Sequence, residues 1–479
     1  MSGVQINACA CFPNGIILSQ FAMPAHNSIV IVYTTKYRLG GRQFPVVART
    51  LADEKREAGF EGEIMCQAVE SKRDVLKIFD DLKAAGKKIG EFHFVGHSGM
   101  YGPMFGTVAF PEQFSPYEWE SMEIPFADGA SAYFHCCRSA RWFAPFFART
   151  FGIKAYGFFW YTTFSRSREK YRYAGDATEG PLYTIGCKGR KSHGLLASAR
   201  KFAGAMPAEK MKAFEPTSVN GDASYNKVAE LYDAAFTDIR VRMDEWRWLN
   251  EHLPMGKISI LDIGCGNGAL LNALSERIES GVGVDESEAI VERARARNGQ
   301  ISDLRSGVSS PGGEISDPRN EISNLRFERI SGPILPFADA SFDVVISLMS
   351  FRYLDWDPLL SEIKRVTKPG GKFLVVDMVT VPVKVSEYVQ LFRDKLRTRA
   401  AQKSNPEFDG ALNDLVTHPD WKKMLEFNPI RSEHEMRWYL ESRFPGQKME
   451  TLNTAWNSRI VAFDSGPVEM GIEVKLSYP

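Results

Sequence analysis

The chain is poor in the features that mark several large classes of protein. Its 479 residues hold seven cysteines, an odd and scattered set. A disulfide framework needs paired cysteines, so a reducing compartment is expected. The adjacent pair Cys136-Cys137 lacks the C-x2-C spacing of a zinc chelate, and no resident metal is expected. No apolar run is long enough to span a bilayer. The segment Met1 to Met23 has no Lys or Arg ahead of its apolar stretch, unlike a secretion signal. Formal net charge is zero, so no global basic excess argues for nucleic acid or an anionic membrane surface as partner. These absences together predict a cytoplasmic, soluble chain. At 44% hydrophobic and 25% charged, it has ordinary globular material for two or three domains.

What is present is organised around Leu261-Asp262-Ile263-Gly264-Cys265-Gly266-Asn267-Gly268-Ala269-Leu270. Ile258 to Ile263 reads as a buried parallel strand, the glycines as a turn, and Ala269 to Ile278 as an apolar helix. A strand that turns on glycines into a helix lets backbone N–H groups approach a ligand closely. Gly281 to Asp285 reads as the next strand, ending where a doubly wound sheet presents a carboxylate to a ribose. Further landmarks are Leu335-Pro336-Phe337, Phe342-Asp343-Val344-Val345, and Glu362 through Lys368-Pro369-Gly370-Gly371-Lys372.

In this order the segments from about 222 to 380 resemble the class I S-adenosylmethionine-dependent methyltransferases. The resemblance implies a Rossmann-like sheet, S-adenosyl-L-methionine as cofactor, and a glycine turn (Gly264, Gly266, Gly268) beside the methionine carboxylate. Asp262 would organise that turn or meet the ammonium, and Asp285 would accept from the ribose hydroxyls. The position for the adenine contact, usually Asp in the family, aligns with Ser331, followed by Gly332. A Tyr-rich helical stretch from 225 to 253 would cap the cleft, with Tyr225 and Tyr232 as lid candidates; packing on the core is the alternative for both. Leu348 and the residues from Ser350 to Tyr353, just after the fourth strand, would line the methyl-transfer cleft. Methyl transfer needs alignment, water exclusion and, for a weak nucleophile, a base. Tyr353 and His418 are the candidates at the cleft, with His434 a further histidine. Residues 384–444 read as a helical insertion over the substrate. Two closing strands follow, at 448–453 and 458–464.

The N-terminal part, 1–215, reads as alternating strands and helices, hence a parallel α/β sheet. Strands are expected at 28–34, 62–69, 91–97, 131–137 and 152–160. Helices are expected at 44–58, after a cap at Ser71, and from about 139. His97 and Cys137 end two of these strands, where open α/β sheets carry their sites. An imidazole there could activate the thiol. The arrangement resembles the caspase-like cysteine peptidases, a group that includes gingipain-like and CHAT-type domains. The match is at the Cys137-Arg138 pair; His97 is followed by Ser98, and glycine comes one place later. Since neighbouring strand residues face opposite ways, only one of Cys136 and Cys137 should reach His97. Plain packing is the alternative for the cysteines, as it is for His93 and His97 on one strand face. The linker 203–222 carries Pro207 and Pro216, with the domain boundary at 215–222. Three Ile-Ser-Asp/Asn echoes between 301 and 326 read as a solvated insertion.

The expectation is therefore a caspase-like α/β domain (1–215) fused to a class I methyltransferase domain (222–479). It would methylate a small-molecule or peptide acceptor that the N-terminal domain presents. The rivals are a cysteine hydrolase with a cofactor-sensing methyltransferase fold, and a scaffold without catalysis.

Overall fold

A computed structural model describes residues 27–175, 178–187, 199, 206–216, 223–306, 324–428 and 430–469. Cys9, Cys11 and most of the 301–326 echo region lie outside the described residues.

Two sheets organise the chain. The first is built from β1 (Asn27–Tyr33), β2 (Ile64–Ala68), β3 (Lys88–Val95), β4 (Phe126–His135), β5 (Lys154–Gly157) and β6 (Lys212–Phe214). Its order is β6-β5-β4-β3-β1-β2. All pairs are parallel except β6 against β5. The sequence reading left 203–222 as linker, but Lys212–Phe214 adds an edge strand to this sheet. Three residues are too few to show an alternation. The helices α1 (Phe44–Glu57), α2 (Lys72–Ala84) and α3 (Phe143–Phe151) connect the strands. The expected cap at Ser71 is a full capping box: its side chain accepts from the Asp74 N–H, and Asp74 answers the Ser71 N–H. Phe92, Phe134, Phe143, Phe147 and Trp119 fill one face of the sheet.

The second sheet holds β7 (Ile258–Ile263), β8 (Ile278–Asp285), β9 (Leu325–Arg329), β10 (Phe342–Leu348), β11 (Thr367–Thr380), β12 (Glu450–Thr454) and β13 (Ser458–Pro467). Its order is β9-β8-β7-β10-β11-β13-β12, with β13 antiparallel to both neighbours. The chain order reverses between β7 and β10, which places a crevice beyond their carboxyl ends. Helix α4 (Ala229–Ala235) precedes the sheet, α5 (Ala269–Leu274) follows the glycine turn, and α6 (Trp356–Val366) follows β10. The expected helix through Ile278 is shorter: a 3-10 turn, Ser275–Arg277, ends it, and buried Ile278 opens β8. The insertion is four helices, α7 (Tyr388–Ser404), α8 (Pro406–Thr417), α9 (Pro419–Phe427) and α10 (Glu433–Arg443). Among the described residues no helix is long and apolar enough to cross a membrane.

The two halves are joined by polar contacts. Lys72 donates to Glu118 at 2.6 Å and to Asp357 at 2.7 Å, and Arg443 reaches the other oxygen of Asp357 at 3.2 Å. The Met100 N–H donates to Glu435 at 2.6 Å, and the Tyr117 N–H to Asp355 at 3.0 Å.

Candidate active site

The glycine turn is fixed by its neighbours on β8 and β10. The N–H groups of Gly264 and Cys265 both donate to the Val284 carbonyl, at 2.8 and 3.0 Å. Gly264 has φ +75°, and a Cβ there would sit 2.3 Å from the Cβ of Ser350. Only glycine supplies both the left-handed backbone and the space. Ser350 is held in turn by its own bond to the Ile263 carbonyl at 2.7 Å.

Two carboxylates face this turn. Asp285 accepts from the Gly266 N–H at 3.1 Å and from the Ser287 N–H at 3.0 Å. Burial pushes its carboxyl above the usual range, against the pull of these amides. Asp262 is 1% exposed, and its Oδ1 has no partner among the described residues. Burial, then the charge of Asp285, lifts its carboxyl to about 8. A buried acid with an orphaned oxygen, beside the half-buried Asp285 and with no cation paired to either among the described residues, forms an electrostatic gap. A group bearing an ammonium or sulfonium would fill it. The donor set therefore fits S-adenosylmethionine.

Helix α4 is pinned to the turn by residues the sequence reading passed over. The Asn267 amide donates to Asp233 at 2.7 Å and to the Phe236 carbonyl at 3.0 Å, tying the turn to α4. The Asn226 side-chain oxygen accepts from the Ser287 hydroxyl at 2.7 Å, tying the approach to α4 to the end of β8. Asn267 lies inside the glycine motif, and that position was the one available signal. Tyr232 thereby sits over Gly266, where a Cβ would come 3.1 Å from its ring. Tyr225 packs edge-on against Tyr232 at 5.5 Å and against Trp421 of α9 at 5.7 Å. Burial, with Tyr353 beside it, drives its pKa well above the ordinary value.

Beyond β10, Arg352 is buried in an ion pair with Asp377, and the Arg352 N–H also donates to Asp377 at 2.6 Å. The Arg352 guanidinium lies 4.4 Å from the Tyr353 ring centroid. Leu348 closes β10 beside them, packed partly into the core. The Ile330 N–H donates to the Asp285 carbonyl at 3.1 Å, which brings exposed Ser331 and Gly332 alongside the cleft. Asp262, Asp285, the three glycines, Tyr225, Tyr232 and Tyr353 are thus gathered at one place. His418 stands apart, its Nδ1 accepting from the Asp420 N–H at 3.3 Å as the cap of α9. His434 on α10 packs edge-on against Trp438, near Arg38 and Arg138 of the N-terminal half.

In the first sheet, His97 and Cys137 follow the neighbouring strands β3 and β4. The His97 Nε2 bonds the Leu39 carbonyl at 2.6 Å, and its ring packs against Tyr37 and Phe44. The Cys137 thiol is partly exposed and accepts from the Thr162 N–H at 3.3 Å. Cys136 is buried in the core, and burial pushes its thiol up to about 12. His93 bonds Glu91 at 2.9 Å and His135 at 3.1 Å, as a satisfied core histidine does. Among the described residues no cluster of three or more His, Cys, Asp or Glu is placed to hold a metal.

Residues 261–375 match the family described as "Methyltransferase domain". The chain is 30% identical to a sterol 4-C-methyltransferase of Caenorhabditis elegans, over 26% of this chain and 31% of that protein. It is 33% identical to a demethylmenaquinone methyltransferase of Beutenbergia cavernae, over 26% of this chain and 52% of that protein. A demethylmenaquinone methyltransferase of Lactococcus lactis is 27% identical, over 42% of this chain and 77% of that protein. The chain thus spans only about a third of the first relative and about half of the second. Among solved structures, a SAM-dependent methyltransferase from Aquifex aeolicus aligns over 49% of this chain and 98% of its own, at 15% identity and TM-score 0.30. The C-terminal half of the chain contains a methyltransferase domain.

Proposed function

We propose that this methyltransferase domain transfers the methyl group of S-adenosylmethionine to a small-molecule acceptor. The observation that carries the reading is the meeting of Asp285, the Gly266 N–H and the unpartnered Asp262 under Tyr232. Asp285 is placed for the ribose hydroxyls, Asp262 for the cationic end, and the glycine amides for the carboxylate. The bound cofactor would supply an electrophilic methyl group on a sulfonium.

The chain's own residues align and dry the reaction. Tyr225 and Tyr232, both pushed up by burial, keep their protons and act as hydrogen-bond donors rather than bases. The Arg352–Asp377 pair holds the loop after β10, and with it Tyr353, against the lid. A cleft of donors favours an acceptor whose nucleophile is already an anion or an enol. The sterol and quinone methyltransferases among the relatives support a small acceptor of carbon skeleton over a peptide.

The N-terminal domain would take part by position. Lys72 and Tyr117 grip Asp357 and Asp355, and Tyr101 lies 4.1 Å under the Arg431 guanidinium that donates to the Arg352 carbonyl. The loop that faces the acceptor is therefore held from the other domain. Calorimetry with S-adenosylmethionine tests the proposal. Binding should weaken by about 1.5–3 kcal/mol in Asp285→Ala, the scale of hydrogen bonds to a charged group. Absence of heat with the unaltered protein removes the reading.

A further inference from the structure

Helix α7 presents its apolar side to solvent. Val385, Tyr388, Val389, Phe392 and Leu396 are between 47% and 82% exposed, and Trp456 at the β12–β13 turn is 60% exposed. At about 100° per residue the four positions within α7 fall within one stripe of roughly 100°, and Val385 precedes them in a 3-10 turn. The opposite side is the inner one: Asp394 is buried there and accepts from the Thr454 N–H at 2.9 Å. Tyr388 and Trp456 lie 6.2 Å apart, so the stripe continues onto the hairpin. A surface helix ordinarily turns such residues inward, and contiguous exposed apolar patches mark interaction sites.

The charges around the stripe say what covers it. Arg393, Lys395, Arg399 and Lys403 are exposed and have no carboxylate partner among the described residues. The two acids of the segment are neutralised on the inner side, Glu387 by Arg459 at 2.6 Å and Asp394 by Arg397 at 3.3 Å. Arg393 and Lys395 flank the stripe, while Arg399 and Lys403 continue its line beyond Leu396. A short apolar face ringed by unpaired cations, with Tyr and Trp beside it, has the composition of a segment lying in an anionic lipid interface. A second copy fits less well, because a two-fold contact would set these cations against their own images.

We infer that α7, with Trp456, docks the protein on the surface of an anionic bilayer. The zero net charge of the whole chain conceals this local excess. The inference stands apart from methyl transfer and is read without the cofactor. The test is sedimentation of the full chain with vesicles of phosphatidylcholine alone or with about 30% phosphatidylserine. Partition into the anionic vesicles should exceed that into neutral ones by at least tenfold, on the order expected for several cations at a charged surface, and should fall as salt is raised. V389D/F392D should abolish it with melting temperature unchanged, and R393E/K395E should lower it about tenfold. Three results would overturn the inference. One is no sedimentation with either vesicle; another is equal binding by the variants. The third is a dimer in solution that V389D/F392D dissociates while vesicles bind nothing.

Discussion

Lys72 and Asp357 meet at 2.7 Å across the two halves of the chain, with the Lys72 side chain 3% exposed. Burial works against the ammonium, and Asp357 and Glu118 more than restore it, so its pKa is raised. Removing the cation alone, as in Lys72→Met, takes the shared ammonium from two buried acids, of which Asp357 keeps Arg443 at 3.2 Å. The expected cost is about 3–5 kcal/mol, the range for breaking a buried pair. Urea melts should show it. Lys77→Met, which removes an exposed pair with Asp81, should cost less than about 1 kcal/mol. Equal costs for the two would mean that the interface is wet.

Gly264→Ala should abolish cofactor binding and lower stability by more than Gly370→Ala. Both glycines have positive φ, +75° and +78°. A Cβ at 264 meets Ser350 at 2.3 Å, whereas one at 370 meets nothing within 4 Å. The second change therefore carries only the backbone cost, about 1–2 kcal/mol. Thermal melts of both variants compare the two terms directly.

Binding of S-adenosylmethionine should release a proton near neutral pH. Asp262 is held protonated up to about 8 by burial and by Asp285. A cation placed beside it favours the carboxylate, so the proton leaves on binding. Calorimetry at pH 7 in buffers of different ionisation heat should show a fractional proton released. The effect should vanish well above pH 8 and in Asp262→Asn. A heat independent of buffer would place the cationic end elsewhere.

The methyltransferase fold was legible because its central strands β7 and β10 are largely apolar and its turn needs glycine at spaced positions, whereas β9, Leu-Arg-Phe-Glu-Arg, alternates at the sheet edge and was not read as a strand. Asp285 was legible because it ends an apolar run. Asn226, Asp233 and Asp377 were not. Each acts across more than twenty positions of sequence, on Ser287, Asn267 and Arg352, and no periodicity marks a polar residue whose partner is supplied by folding. The same holds for Lys72, which lies in the first turn of a capped helix and reads as an ordinary solvated lysine until Asp357 is brought to it.

The paired cysteines should differ sharply toward iodoacetamide. Cys136 is buried and its thiol is pushed up to about 12, whereas Cys137 is partly exposed. Peptide mapping of the native protein should find Cys137 alkylated and Cys136 only after unfolding. With the His97 ring bonded to the Leu39 carbonyl, the rate at Cys137 should be that of an ordinary thiol and unchanged in His97→Ala. A rate that falls several-fold in that variant would instead support a hydrolytic thiol–imidazole pair.

Stability should decline as pH falls from 7 toward 5. His93 is buried, and that burial outweighs Glu91 and lowers its pKa below the ordinary value. The unfolded chain therefore takes up the proton before the folded one does. Stability is present above the unfolded value, about 6.5, and is lost progressively below it. Glu91, lowered to about 2 by His93 and Lys55 against its own burial, has the same sign, with its loss confined to pH below about 4.5. Melting temperatures across this range should fall in two stages, the first at His93. In His93→Gln, which keeps a polar group beside Glu91 without a titrating ring, the first stage should flatten while the acid stage remains. A decline unchanged by that substitution would assign the first stage to another histidine of the buried row, His135, whose pKa burial lowers still further.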